Sequence, residues 1–186
     1  MASESYTLNE FITDVDRIAR AQASGAAITE QVAPLLGRLV KNPDAIPAHY
    51  RTRPVGVRGR YILHRAPHFN VTAVIWGPGD TAGAHNHETW GVIGVIDNEI
   101  EETRYTVTPD ASGKAKVDVK GVFRHRAGAV SQLHPGDDEV HAMHNPTGRD
   151  TVEIHVYGRD LVDLPRRTWS ADGTEKPLVS SKYLNC

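Results

Sequence analysis

The sequence predicts a mainly β fold (a sandwich, barrel or jelly roll) with a pair of N-terminal helices packed outside it. Helical periodicity is confined to residues 1–45. From about Tyr61 onward, short runs rich in β-branched residues alternate with turn chemistry, and no helix-length pattern separates them. The 186 residues suit one domain able to bury a core. The expected division is a helical cover over 1–45 and a barrel over 61–170 that carries a C-terminal extension, within a single domain of 1–186.

Thr7-Leu8-Asn9-Glu10 fits a capping box, with Thr7 as N-cap and Glu10 reaching back to it. Phe11, Val15, Ile18 and Ala19 then recur at helical spacing and form one apolar stripe. Ser24-Gly25 ends this helix. A second is expected over 29–40, burying Val32, Leu35, Leu36, Leu39 and Val40. Proline is tolerated near a helix start, so the regular part should begin close to Pro34. Asn42-Pro43 closes it.

Strand-like runs follow at 70–76, 91–96, 101–107, 116–123, 129–133, 139–144 and 151–157. Between them lie Asp97-Asn98, Ala127-Gly128, Pro135-Gly136-Asp137, Asn145-Pro146-Thr147-Gly148 and the segment 109–113, all of turn composition. Beyond Tyr157 the chain reads as loop and short strand, and the last ten residues are expected to lie on the surface.

A net charge of −2 points to neither a nucleic-acid nor a membrane surface. No apolar run approaches the ~20 residues of a membrane span. The first residues lack the basic and apolar regions of a signal peptide. The only cysteine is Cys186, so no internal disulfide is possible and a reducing cytosol is expected. Oligomeric state is left open.

The ten histidines are the unusual feature, and several cluster between 85 and 155. His85 and His87 are two apart. On a strand such residues share a face, about 7 Å apart, with Asn86 turned away. Imidazole pairs of this kind suit Zn, Cu, Fe and Ni; surface histidines are the bland alternative. His141 follows a turn at a strand start, and Asn145 comes four residues later. Glu153, His155 and Tyr157 alternate with Ile154 and Val156, which puts the three polar side chains on one strand face. That face either lies at a solvated sheet edge or lines a site inside a barrel. The remaining histidines, including His125, are read as surface or structural residues, and Arg58 and Arg60 as solvated.

The ordered set of Trp76-Gly77, Gly79, His85, His87, then Pro135, His141, Asn145, then His155 and Tyr157 resembles the two cupin motifs of the cysteine dioxygenase type I family. The resemblance covers about 61–169 and implies a cupin double-stranded β-helix, a jelly-roll barrel. It further implies that His85, His87 and His141 hold Fe(II), and that His155 and Tyr157 form a hydrogen-bonded pair over the open metal face. The implied reaction adds both atoms of O2 to a thiol. Mammalian-type members carry a cysteine shortly after the second histidine; here Gly91 stands in that region, which resembles the bacterial 3-mercaptopropionate dioxygenase-like branch. In that branch an arginine after the tyrosine binds the substrate carboxylate. Arg166 fits, with Arg167 as its neighbour. The carboxylate arginine of the cysteine-type branch finds no match in the strand before Trp76. Glu153 departs from the family's serine; it can hydrogen-bond His155 and fix its tautomer.

The resemblance therefore implies a non-haem iron thiol dioxygenase that oxidises a small thiol acid to its sulfinic acid, with O2 as co-substrate and no nucleic-acid or membrane partner. Two other readings stand beside it. One keeps the metal but changes the substrate to cysteine, mercaptosuccinate or a non-thiol. The other is a metal-binding cupin sensor without catalysis.

Overall fold

A computed structural model describes residues 6–22, 24–111, 114–136, 139–162 and 164–186. Two helices lead, α1 (Leu8–Ala21) and α2 (Gly25–Leu39), followed by two 3-10 turns at Pro43–Ala45 and Ala48–Tyr50. Eleven described strands follow: β1 (Gly59–Arg65), β2 (Asn70–Trp76), β3 (Thr81–His85), β4 (Gly91–Asp97), β5 (Glu99–Pro109), β6 (Ala115–Arg126), β7 (Val130–Leu133), β8 (His141–His144), β9 (Thr151–Tyr157), β10 (Arg166–Trp169) and β11 (Glu175–Leu178). They form two antiparallel sheets, ordered β1-β2-β9-β4-β7 and β11-β10-β3-β8-β5-β6. This is the jelly-roll arrangement of a double-stranded β-helix, and the helices cover the outside of the first sheet. Among the described residues no helix is long and apolar enough to cross a membrane.

α1 starts as the sequence predicts. The Thr7 hydroxyl accepts from the Glu10 amide, and the Glu10 carboxylate accepts from the Thr7 amide at 2.8 Å. α2 differs from expectation. It begins at Gly25, capped by the Ser24 side chain, and carries Pro34 in its interior. The backbone bond lost at Pro34 is outweighed by tertiary packing, which overrides local propensity. Val32, Leu36 and Leu39 are fully buried against the first sheet. α2 can sit this close because Gly94 of β4 has no side chain: a Cβ there would stand 2.8 Å from Val40 and 2.9 Å from Leu36.

The first sheet is covered on both faces, and its residues sort by period two. Val71, Ala73 and Ile75 of β2 and Val152, Ile154 and Val156 of β9 join the helices in one core. Thr72, Val74 and Trp76, with Glu153, His155 and Tyr157, face the barrel interior. β9 is thus an inner strand, paired with β2 on one side and β4 on the other. Its polar residues line the interior rather than a solvated edge.

The last ten residues lie on the surface as expected, except that one side chain is buried. Tyr183 is buried, and its hydroxyl donates to Asp160 at 2.8 Å. The Asn185 side chain bridges the backbone of Ile62, accepting from its N–H at 3.0 Å and donating to its carbonyl at 2.9 Å. Residues 178–181 form one wall of the interior cavity.

Candidate metal centre

Three short elements bring three imidazoles together. His85 ends β3 and His141 begins β8; the two pair directly across the sheet. His87 does not share a strand with His85, as the spacing suggested, because β3 stops at His85. The chain turns at Glu88, which has φ 55°. Glu139 holds this turn: its carboxylate accepts the amides of His87 and Glu88, each at 2.9 Å. The rings still converge, with centroids 4.8, 4.9 and 4.8 Å apart.

Each ring donates its Nδ1 proton elsewhere. His85 donates to the Gly83 carbonyl at 2.7 Å, His87 to the Glu139 carbonyl at 3.2 Å, and His141 to the Glu102 carboxylate at 2.7 Å. A neutral imidazole whose Nδ1 carries the proton has its lone pair on Nε2. Burial, followed by the neighbouring His141, holds His85 and His87 well below their usual value of 6.5, so both stay neutral. One ligand atom from each ring lies within 4.8 Å of the others. Three imidazole nitrogen donors, oriented from behind and gathered at one point, fit a transition-metal ion.

Glu102 is the residue that the sequence reading missed. It is fully buried on β5, whose pairing with β8 sets Glu102 opposite Met143 and Arg104 opposite His141. Its carboxylate accepts from His141, from His125 at 2.7 Å, and lies 3.2 Å from Arg104 Nε. Burial pushes this carboxyl up, yet the bonds from His125 and His141 and the Arg104 charge outweigh it and hold it well below the usual carboxylate range. His125 is therefore a partner in this chain rather than a free surface residue. Alternation along 101–104 carries the only sequence signal, and it acquires meaning through the β5–β8 register.

On the opposite sheet, Glu153, His155 and Tyr157 form a linear chain. Trp76 donates its indole N–H to Glu153 Oε2 at 2.6 Å, and His155 Nε2 meets the same oxygen at 3.0 Å. His155 Nδ1 lies 2.9 Å from the Tyr157 hydroxyl. The Tyr157 ring stacks on His87 with centroids 5.4 Å apart. Burial raises the Tyr157 phenol far above its usual value, so it keeps its proton. Gly91 makes room for this ring, since a Cβ there would lie 2.7 Å from it.

His85 and His87 of the cluster, with Trp76, His155 and Tyr157 of the facing chain, line a cavity of about 390 Å³. Arg166 lines it and is only 7% exposed; Arg167 points away, half exposed, and pairs with Glu88 at 3.0 Å. Arg166 Nη1 donates to the Asn86 carbonyl at 3.1 Å, tying it to the histidine loop. The reading of Arg58 and Arg60 as solvated is corrected: both line this cavity. Arg58 lies over the Trp76 ring at 3.9 Å, an attraction that a sequence does not display. Asn145 has a structural part, donating at 3.0 Å to both the Trp76 and Gly77 carbonyls.

Fold and site together define a double-stranded β-helix with a candidate three-histidine metal centre. No protein-family model matches the chain. Among solved structures, an uncharacterised conserved protein with a double-stranded β-helix domain from Klebsiella pneumoniae is similar over 65% of this chain and 86% of its own, at 17% identity and a TM-score of 0.50. A cupin 2 conserved barrel domain protein from Salinispora arenicola is similar over 61% of this chain and 86% of its own, at 19% identity and a TM-score of 0.43. An oxalate oxidase matches 48% of this chain and 41% of its own, at 16% identity and a TM-score of 0.37. At these identities the likeness is one of fold.

Proposed function

We propose that this chain is a non-haem Fe(II) thiol dioxygenase that converts a small thiol carboxylic acid, of the 3-mercaptopropionate kind, and O2 to the sulfinic acid. The observation that carries the reading is the shared cavity: His85 and His87 of the three-histidine cluster, a protonated phenol held by a histidine, and a buried arginine all open onto it. The resemblance of the ordered motifs supports the same reading.

His85, His87 and His141 would hold the iron through Nε2. Bound iron supplies an electrophilic, redox-active centre at which a thiolate and dioxygen meet. Arg166 holds the substrate carboxylate in a fixed orientation, which a lysine would not match. Its attachment to the Asn86 carbonyl sets its distance from the His85–His87 loop. Tyr157 is the hydrogen-bond donor. Only when His155 carries protons on both nitrogens does the ring donate to Glu153 and to the Tyr157 oxygen together and free the phenolic hydrogen for the substrate; with a proton on Nε2 alone, its Nδ1 accepts from the Tyr157 hydroxyl. Glu153 accepts from His155 Nε2 and Trp76 at once, so it orients the imidazole from behind. Val74, Trp76, Leu161 and Leu178 supply apolar side chains to a lining that also carries Thr72, Thr81 and Thr168. The partners are then a thiol and O2, and a reducing cytosol suits both the thiol and the single cysteine.

The test is metal analysis followed by an O2-electrode screen of the iron-loaded chain with 3-mercaptopropionate, cysteine, cysteamine and mercaptosuccinate. Uptake of one O2 per thiol, with sulfinate formed, is expected. Stoichiometric iron with no uptake on any thiol leaves a non-thiol substrate or a metal-binding sensor.

A further inference from the structure

The three histidines are anchored in unequal ways. His85 and His87 give their Nδ1 protons to backbone carbonyls, of Gly83 and Glu139, which the chain itself fixes. His141 alone of the three depends on a side chain, Glu102. That side chain is 1% exposed and has to be held in turn. His125 holds it from the outside. It lies on β6, which ends the strand order of the second sheet. Its side chain is 19% exposed and its ring stacks on exposed Phe123, centroids 6.5 Å apart. A line of three groups thus runs from the surface to a candidate ligand. His125 Nε2 meets Glu102 Oε2 at 2.7 Å, and His141 Nδ1 meets Glu102 Oε1 at 2.7 Å. A carboxylate only accepts, so both nitrogens carry hydrogens. Neither Glu102 nor His125 is among the residues that line the cavity.

The two imidazoles grip opposite oxygens. Oε1 also lies 3.2 Å from Arg104 Nε, and Arg104 Nη2 donates to the Gln132 carbonyl at 2.9 Å. The last torsion of a glutamate is soft and roughly two-fold. With donors on Oε1 alone, the carboxylate could turn about that oxygen and leave the direction of the His141 bond. The His125 bond to Oε2 fixes its plane. We infer that His125 is a positioning residue for the metal centre: from the outer edge of the sheet it locks the Glu102 carboxylate, and through it the His141 ring, in the direction that binds a metal ion. This rests on the three histidines holding a metal, as in the function proposed above, and not on the substrate or the reaction. Metal affinity is then set in part on a surface that no substrate touches.

Iron(II) and cobalt(II) affinities of the whole chain, measured without O2 by competition with a chelator, test this with no turnover involved. The unsubstituted chain is expected to bind one ion. His125→Phe keeps a flat ring and loses the donor. It should weaken binding about three- to tenfold, less than the loss expected for a group that touches the ligand itself. His125→Ala serves the same comparison should the larger ring disturb folding. His125→Gln carries an amide N–H that reaches the same oxygen and should retain most of the affinity. The double variant His125→Phe with Glu102→Gln should bind no more weakly than Glu102→Gln alone, because His125 acts through that carboxylate. Unchanged affinity in His125→Phe and His125→Ala overturns the inference. So does His125→Gln binding as weakly as His125→Phe, or losses that add in the double variant, since either marks a general loosening of the sheet. An unsubstituted chain that binds neither ion overturns the metal centre as well. A chain that shows these dependences yet consumes no O2 with any thiol supports the positioning role and sinks the dioxygenase reading alone.

Discussion

At the scale of single residues, the site depends on small clearances. Gly91 pairs with Tyr157 across β4 and β9 and is the reason the phenol can stand beside His87. The sequence reading used Gly91 only to mark the absence of a cysteine; its steric part needs the cross-strand register. Tyr157 itself was legible, because alternation put it on one face with Glu153 and His155. Replacing it with Phe removes a donor without changing shape. Tyr157→Phe should keep a full complement of iron and lose about a hundredfold in kcat, in the range of a positioned proton donor, read by O2 uptake and metal analysis. Loss of iron in this variant would show that the ring's contact with His87 matters more than its hydroxyl. Arg58 and Arg60 were not legible, since an arginine in a loop-to-strand stretch defaults to solvent. What holds them at the cavity is long-range: the Trp76 ring for Arg58, and Tyr183 and Ser181 for Arg60.

At the scale of elements, register decides what the linear pattern leaves open. The bounds of β2 and β9 follow directly from their β-branched runs. The third histidine gains its supporting carboxylate from β5, whose alignment with β8 is set by a long hairpin and cannot be read from residues 99–109 alone. Removing that carboxylate's charge while keeping its size should weaken the metal. Glu102→Gln is expected to lower iron affinity about 10- to 100-fold, measured by competition with a chelator, while His85 and His87 keep their own anchors. Unchanged affinity would mean that Arg104 and the β5–β8 pairing suffice to fix His141. α2 teaches a similar lesson. Pro34 pointed to a late start, but the helix is held by its buried face on β4 rather than by its own backbone bonds. Gly94→Val would push on Leu36 and Val40 and should destabilise the chain by about 1–3 kcal/mol, read as a lower urea midpoint. An unshifted midpoint would show that α2 can ride outward freely.

At the scale of the whole molecule, the cavity is closed by a segment pinned from several places. Asp160 gathers the Tyr183 hydroxyl, the Val162 amide at 3.0 Å and Arg65 Nε at 3.0 Å. Burial pushes this carboxyl up, but the three donors prevail and hold it below its usual 3.8. A carboxyl whose folded value is depressed stabilises the fold fully above its unfolded value and loses that contribution as pH falls through the folded one. The 178–185 segment should therefore stay pinned above about pH 3.8 and loosen below it. Pepsin cleavage within that segment, scaled to an unfolded reference peptide, should rise between pH 4 and 2 and be high at every pH in Asp160→Asn. A flat profile in the unsubstituted chain would place the anchoring elsewhere. The fold as a whole was legible because period-two runs and turn residues repeat so regularly; the closing wall was not, because its residues are held by side chains distant in sequence.

β9 has neighbours on both edges and cover on both faces, which gives the site two halves of unequal endurance. The amides of Glu153, His155 and Tyr157 should exchange with deuterium only when the entire fold opens. β3 and β10 pair over few residues, so the histidine side of the cavity can breathe by itself. An ion can then escape and return through fluctuations that never disturb the tyrosine chain. A chain stripped of metal in the cold should therefore take up a metal ion again without a refolding step, with the chain from Trp76 to Tyr157 already assembled.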